Sequence, residues 1–249
     1  MRVIAWFAND PTMRALFLSG SDPHLRTAAA VATEVARRTG ALLLGRPVGD
    51  EEAAIEISRV GKPLLKKYPE WVKLRQDAKP VNFGLAFGMQ AEGLMDYARE
   101  KYGVDMTYSQ AVETRAAFFR LYDALPEWHL RSRREAARKG YTETPFGRRR
   151  KFDDENDVNA AINTPVQSTA NDLTMLAIAQ TANRYRRMAL NAPIIGFVHD
   201  SILVLSRDED VDAASYILKR SMEEVDTKAF GVEMPIPLVA EVKVGQTWG

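Results

Sequence analysis

Residues 75–88 read RQDAKPVNFGLAFG, and this stretch decides how the rest of the chain is interpreted. From about Trp71 to Gly88 the apolar and basic positions recur every three to four residues, which predicts a helix with two differently employed faces. Side chains four residues apart lie on the same face of a helix. This spacing places four side chains in one row: Arg75, Lys79, Phe83 and Phe87.

The row joins two cations to two aromatic rings. Cations hold a polyphosphate and rings stack on a sugar and a base, so the row predicts a nucleotide-binding face. On spacing alone, a solvated basic turn followed by core phenylalanines explains the same pattern equally well. Gly84 and Gly88 cost stability within a helical run, which indicates close approach by another group.

The composition predicts a globular protein and excludes several kinds of site. Of the 249 residues 46% are apolar, and 34 Lys and Arg balance 33 Asp and Glu. Because there is no cysteine, a disulfide framework, a thiolate zinc site and a cysteine nucleophile are excluded. No apolar stretch reaches the roughly 20 residues that a membrane span needs. We therefore expect a soluble, cytoplasmic protein with no membrane partner.

Start signals and periodicity predict a mostly helical chain. Thr164-Pro165 is typical of an N-cap followed by a proline at the first helical position. A loop is expected over residues 40–47, and the alternation in residues 238–244 predicts a strand with one buried face. The predicted helical segments begin near residue 11 and cover about 21–38, 50–67, 109–139 with a break at Pro126, 164–188 and 210–225.

Two apolar runs, Ile194–Val198 and Ser201–Leu205, flank the dipeptide His199-Asp200. Such runs separated by two residues predict a β-hairpin. Neither turn residue favours the left-handed backbone of a tight turn as glycine does, and local chemistry that is unfavourable for folding is often functional. A carboxylate at a rigid turn offers the oxygen ligand that divalent cations prefer, which makes Asp200 a candidate metal ligand. An ordinary polar turn is the alternative.

A basic segment runs from Arg131 to Lys151, with nine Lys or Arg against two Glu. This local excess attracts phosphate backbones, although a solvated helix surface is the alternative. The consecutive Arg148, Arg149 and Arg150 favour the first interpretation. Four polar residues near a helix start suit either minor-groove contacts or capping: Asn163, Gln167, Asn171 and Asp172.

Together and in this order, these segments resemble the C-terminal half of family A, polymerase I-like DNA polymerases. Residues 75–88 look like motif B, the fingers helix that grips the incoming nucleotide, and Val198-His199-Asp200 looks like motif C of the palm. Residues 140–150, 163–167 and 237–248 also match family patterns. The resemblance covers nearly the whole chain apart from an insertion around residues 40–70.

The resemblance implies a template-directed DNA polymerase that binds dNTPs and primer-template DNA. It assigns the triphosphate to Arg75 and Lys79 with help from His24, the sugar to Phe83, and a further nucleotide contact to Phe87. The implied reaction is attack of a primer 3′-hydroxyl on the α-phosphate, assisted by two magnesium ions.

For the rest of the site, the resemblance makes Asp200 the ligand of the catalytic metals and places His199 near the primer terminus. It counts Lys79, His199 and Asp200 as catalytic. Asn163 and Gln167 are expected to probe the minor groove. Three arginines are expected to contact DNA: Arg148, Arg149 and Arg150.

The sequence departs from the family pattern at several positions. The aspartate of motif A, the second metal-holding carboxylate, has no counterpart, since the chain from Met1 matches only the part of the family pattern that lies beyond motif A. The two-magnesium site is therefore expected to be incomplete. Ser201 replaces an acidic residue, Phe87 replaces a tyrosine, and Asn159 stands where an arginine is usual.

These departures leave three interpretations open. The chain is one piece of a split polymerase whose thumb and motif A come from a separately encoded polypeptide, or it is a catalytically inert fragment that binds nucleotide and primer-template. The third is a misassigned start or a truncated gene. In each case we expect an α+β fold, with a mostly helical fingers subdomain over residues 10–150. A partial palm with a small antiparallel sheet is expected from residues 1–9 and 151–249.

Overall fold

The computed structural model describes residues 1–152 and 160–247, so the expectations for Asn159 and Trp248 lie outside the described residues. The fold is α+β and mostly helical, with two antiparallel two-stranded sheets in the described part, which confirms the predicted fold class. The chain divides into two compact units. The first contains Met1–Gly140 and Phe152–Asn163, and the second contains Tyr141–Lys151 and the chain from Thr164 onward.

The first unit is built from helices around a core of aromatic and aliphatic side chains. Its largest fully buried side chains include Trp71, Phe118 and Tyr122. The helices are α1 (Arg2–Ala8), α2 (Pro11–Leu18), α3 (Pro23–Val31), α4 (Thr33–Leu44), α5 (Asp50–Val60), α6 (Pro63–Lys67), α7 (Glu70–Ala86), α8 (Ala91–Tyr102), α9 (Tyr108–Leu121) and α10 (Leu125–Lys139).

Two aspartates start helices in this unit, as their position before a proline predicts. Asp10 accepts a hydrogen bond from the backbone N–H of Met13 at 2.8 Å, and Asp22 accepts bonds from the N–H groups of His24 and Leu25 at 2.9 and 3.1 Å. These bonds satisfy backbone donors that the first turn of a helix leaves without partners. The caps therefore fix where α2 and α3 begin.

The prediction of one helix over residues 21–38 followed by a loop at residues 40–47 is wrong. The chain breaks at Ala32 into α3 and α4, and α4 continues through Gly40 to Leu44. The reason is tertiary packing, because a Cβ on Gly40 would lie only 2.7 Å from the Cβ of Ala53 on α5. Glycine at residue 40 lets α4 and α5 approach closely, and this contact outweighs its poor helix propensity.

Two smaller differences concern helix length. The charged segment 50–67 forms two helices, α5 and α6, because Gly61 between them has a φ of +66° and ends the first helix. The segment 109–139 forms α9 and α10, which confirms the break expected at Pro126.

The second unit combines two hairpins with two helices. Its strands are β1 (Tyr141–Glu143), β2 (Arg149–Lys151), β3 (Ile194–Val198) and β4 (Ser201–Val204), and its helices are α12 (Val211–Glu223) and most of α11 (Ala160–Arg187). β3 pairs with β4 in antiparallel register, with Val198 opposite Ser201, which confirms the hairpin predicted over residues 194–205. The β1–β2 hairpin was not predicted.

The helix start predicted at Thr164-Pro165 is wrong, since Pro165 lies inside α11. Proline in a helix removes one backbone hydrogen bond and disfavours the turn before it. Here the preceding turn is strongly buried, with Ala161 1% and Ile162 0% exposed. Burial of these apolar side chains stabilises the helical turn that proline alone would disfavour.

The strand predicted over residues 238–244 does not form. The predicted alternation is present, because Leu238, Ala240 and Val242 are partly buried while Val239 is 67% exposed. A strand also requires a backbone ladder, and instead the N–H of Ala240 donates to the Glu223 carboxylate at 3.0 Å. Among the described residues, no helix combines the length and apolar character needed to cross a membrane.

Candidate functional site

The row predicted on α7 lies along a partly exposed face of that helix. Arg75, Lys79 and Phe83 are all partly exposed, and Phe87, the residue that follows the helix, is partly exposed as well. Their neighbours on the other face are buried: Ala78, Val81, Asn82, Leu85 and Ala86. The phenylalanines are therefore not simply core residues, and two cations and two rings remain accessible along one side of the first unit.

Arg75 is oriented by an ion pair with Asp22. The Nε of Arg75 donates to Oδ2 of Asp22 at 2.9 Å, and the two side chains are only 20% and 10% exposed. The other carboxylate oxygen of Asp22 caps α3, so the acceptor itself is fixed. Because the pair uses Nε, the terminal nitrogens of the guanidinium remain available for a second, bidentate partner such as a phosphate.

His24 packs against Phe83, with ring centroids 5.7 Å apart. Its Nδ1 accepts a hydrogen bond from the Nδ2–H of Asn82 at 3.2 Å. Burial lowers the pKa of His24 to about 4, so the ring is neutral at pH 7. A neutral ring whose Nδ1 is an acceptor carries its proton on Nε2, and His24 is therefore a hydrogen-bond donor through that atom.

Behind His24 lies a buried polar network that sequence reasoning missed. Asn82 is 0% exposed, its Oδ1 accepts from the hydroxyl of Thr27 at 3.0 Å, and that hydroxyl lies 3.3 Å from the hydroxyl of Tyr122. The one available signal was a polar residue on the apolar side of α7. Its partners are 55 or more residues away in sequence, so spacing gave no indication of them.

The two glycines of the motif B segment are packed against other parts of the first unit. A Cβ on Gly84 would lie 3.0 Å from the sulfur of Met89. Gly88 has a φ of +83°, and a Cβ there would meet Arg133 at 3.3 Å and Ile162 at 3.5 Å. The close approach that these glycines predicted is thus made by the protein's own side chains.

In the second unit, His199 and Asp200 form the two-residue turn of the β3–β4 hairpin, and both are exposed. His199 has a φ of +56°, a left-handed conformation that is uncommon for residues other than glycine. Backbone strain of this kind is concentrated at functional sites. The hairpin therefore presents one carboxylate and one imidazole at its tip.

Magnesium prefers several oxygen ligands, and paired magnesium ions require bridging carboxylates. At the hairpin tip the available donors are the carboxylate of Asp200 and the hydroxyl of the adjacent Ser201. Within the described ranges, no group of three His, Cys, Asp or Glu residues is placed to hold a metal ion. These residues do not fit a two-metal site, although Asp200 could supply one ligand.

The predicted DNA-binding arginines have protein partners in the second unit. Arg148 makes a bidentate pair with Asp172, through Nε at 2.8 Å and Nη2 at 2.5 Å, and the same carboxylate accepts from Thr144 at 3.1 Å. Arg149 pairs with Glu143 at 3.0 Å. Nη1 of Arg150 donates to the Thr164 hydroxyl at 3.0 Å. These contacts fix the three side chains, and the charge of Arg148 is largely neutralised.

The polar residues of α11 differ in accessibility. Gln167 is exposed, and Asn163 and Asn171 are partly exposed. Asp172 is only 8% exposed and holds Arg148, so it anchors the β1–β2 hairpin to α11 and is not available to a base edge. The roles of Asn163 and Gln167 in the minor groove stay predictions.

Comparison with known proteins gives consistent results. The sequence profile described as DNA polymerase family A matches residues 64–249. DNA polymerase I of Aquifex aeolicus is 30% identical over 250 residues, which cover 100% of this chain and 37% of that protein. DNA polymerase I B of Arabidopsis thaliana, chloroplastic/mitochondrial, is 30% identical over 266 residues, covering 100% of this chain and 23% of that protein.

A solved structure shares the fold. It is the POL domain of Pol1 from M. smegmatis in complex with DNA primer-template and dNTP, with a TM-score of 0.70 and 21% sequence identity. The match covers 96% of this chain and 36% of that chain. The present chain thus spans little more than a third, or less, of the proteins it matches.

Proposed function

Because the chain belongs to DNA polymerase family A, we propose that its first unit is a fingers subdomain that binds the incoming dNTP. We propose that the second unit is a partial palm that contacts primer-template DNA. The observation that carries this proposal is the accessible row on α7, in which Arg75, Lys79 and Phe83 lie beside His24. The solved complex of a Pol1 domain with primer-template and dNTP supports it.

The row is suited to a triphosphate at one end and a nucleoside at the other. Arg75 and Lys79 are one turn apart, about 6 Å along the helix axis. Asp22 fixes Arg75 through Nε, so its terminal nitrogens are pre-oriented for phosphate oxygens. His24 adds a neutral N–H donor through Nε2, and its contact with Phe83 places that donor beside the ring proposed to meet the sugar.

We propose that nucleotidyl transfer requires further carboxylates in addition to Asp200, because one carboxylate does not anchor two magnesium ions. A separately encoded polypeptide carrying thumb and motif A is the proposed source of the missing ligands. In that assembly, Asp200 and His199 at the hairpin tip would lie by the primer terminus, with Lys79 at the leaving phosphates.

The alternative is a binding function without catalysis. It is favoured by the single carboxylate at the hairpin tip, since the features proposed to bind nucleotide do not depend on a metal cluster. The proposed binding residues are then His24, Arg75, Lys79, Phe83 and Phe87 for dNTP. Those proposed for DNA are Arg148, Arg149, Arg150, Asn163, Gln167 and His199.

Primer extension with magnesium tests both versions. The 249-residue chain is assayed alone and mixed with a polypeptide that carries thumb and motif A, and binding of dNTP and primer-template is measured in parallel. Extension in the mixture that is lost in Asp200→Asn, with DNA binding retained, supports the catalytic version. Binding without extension in either arm supports the inert version. A chain that binds neither dNTP nor DNA contradicts the proposed function.

A further inference from the structure

Two arginines meet at the C-terminal end of α7, outside the row of Arg75, Lys79, Phe83 and Phe87. Arg115 lies on α9, with its guanidinium carbon 4.9 Å from the ring centroid of Phe119. Arg133 lies on α10, and its Nη2 would be 3.3 Å from a Cβ on Gly88. His129 lies between them and donates through Nε2 to the carbonyl oxygen of Ala86 at 2.9 Å.

The two guanidinium groups are close enough to act on the same imidazole. The pKa of His129 is lowered, first by burial and then by the charges of Arg133 and Arg115. Both arginines are only partly exposed. Two cations therefore share one small region at the end of a helix, where the backbone carbonyls offset part of their repulsion.

Neither arginine is fully satisfied within the described residues. The Nε atoms of Arg115 and Arg133 are buried and have no hydrogen-bond acceptor. No carboxylate in the described ranges lies within ion-pair distance of either guanidinium, in contrast to Arg26, Arg75 and Arg148. A buried N–H without a partner is costly, and it marks a place where an absent ligand supplies the acceptor. The required ligand is an anion.

Helix capping alone does not explain this cluster. The contact with the α7 carbonyls is made by His129, and it leaves both Nε atoms without acceptors. Planar guanidinium groups match the oxygens of a phosphate better than they match a monovalent ion. The anion that fits this cluster is therefore a phosphate.

We propose that Arg115 and Arg133 hold a backbone phosphate of the single-stranded template, with His129 positioning Arg133 against the end of α7. This inference rests on the proposed function. Phe87 lies 12 residues beyond Arg75, about 18 Å along the helix, so a triphosphate held at Arg75 does not reach the cluster. The base of that nucleotide lies at the Phe83 end and pairs with a template base, whose strand must pass there.

The experiment measures binding of the 249-residue chain to primer-templates with a blunt end or a 5′ template overhang of several nucleotides. Fluorescence anisotropy is recorded at several salt concentrations for wild type, Arg115→Gln and Arg133→Gln. Arg120→Gln is the matched control, because Arg120 is an exposed arginine on the same helix as Arg115. Affinity for dNTP and thermal unfolding are measured on every variant, with Arg133→Lys made if Arg133→Gln does not fold.

We expect each of the two variants to bind the overhang substrate about tenfold more weakly than wild type. The slope of log affinity against log salt should fall by about 0.7, the value for one single-strand phosphate. Blunt DNA, dNTP binding and Arg120→Gln should be unaffected. This combination supports the template-phosphate site.

Other outcomes overturn the inference in distinguishable ways. Equal loss for overhang and blunt DNA, or the same loss in Arg120→Gln, would show a general charge effect. Thermal stabilisation by inorganic phosphate that needs Arg115 and Arg133, without an overhang effect, would assign the site to a free anion. A wild-type chain that binds neither DNA nor dNTP contradicts the proposed function itself, whereas intact binding with unchanged variants contradicts only this inference.

Discussion

Lowering the pH should destabilise the first unit through His24. The ring is buried against Phe83, and its pKa is lowered to about 4 from the 6.5 of an exposed histidine. The unfolded chain therefore takes up this proton before the folded chain does. The contribution of His24 to stability is complete above about pH 6.5 and is lost progressively as the pH falls towards 4.

The size of the effect is set by the two pKa values. Their difference is about 2.5, and each pKa unit corresponds to about 1.36 kcal/mol. The ceiling is therefore on the order of 3 kcal/mol, reached near pH 4, a large fraction of the 5–15 kcal/mol that typically stabilises a domain. His129, whose pKa is also lowered by burial, should add to the loss in the same direction.

Urea unfolding at several pH values between 7 and 4 measures this loss. Wild type is compared with His24→Gln, and with His199→Gln as the control, because His199 is exposed at a hairpin tip. The difference in unfolding free energy between pH 7 and pH 4.5 should shrink in His24→Gln and stay unchanged in the control. A pH dependence that is the same in wild type and His24→Gln would refute the burial argument.

Three further substitutions test the packing and the charge distribution. Gly40→Ala forces a Cβ to 2.7 Å from α5 and should cost about 1–3 kcal/mol in urea unfolding; Gly196→Ala, with its nearest contact at 3.9 Å, should cost far less. Asn82→Leu removes the acceptor and donor of a fully buried network and should cost about 2 kcal/mol by thermal unfolding, and a change below about 0.5 kcal/mol would contradict that network. Asp172→Asn releases the charge of Arg148, so the salt dependence of duplex DNA binding should steepen by about 0.9; an unchanged slope would remove Arg148 from the DNA contacts.

Local patterns were sufficient for the parts of the site that lie within one element. The α7 row follows from a spacing of four, and the β3–β4 hairpin follows from two apolar runs around two polar residues. In both cases the residues that define the feature are neighbours in sequence. The backbone then places them together without any contribution from distant segments.

Partners that are distant in sequence could not be predicted. The pairs Arg75–Asp22, Asn82–Thr27 and Arg148–Asp172 join residues 53, 55 and 24 positions apart. Each pairing depends on how helices pack, which propensity and spacing do not specify. As a result, the sequence indicated Arg75 and Arg148 as phosphate ligands but not the carboxylates that hold them.

Tertiary packing also overrode two strong local signals. Pro165 predicted a helix start, yet burial of Ala161 and Ile162 extends α11 before it. The alternation in residues 238–244 predicted a strand, and the alternating burial is present without a hydrogen-bonded neighbour. A periodic pattern reports which side chains are buried, whereas a strand also needs a partner backbone.

Calorimetric titration of the 249-residue chain with a dNTP and with the matching nucleoside most directly tests the claim that the α7 row holds a triphosphate. Lys79→Ala is compared with Lys73→Ala, since Lys73 is 79% exposed and pairs with Asp77 on the same helix. Lys79→Ala should reduce the preference for dNTP over nucleoside about tenfold, with Lys73→Ala unchanged. An equal preference in wild type and Lys79→Ala would contradict the account.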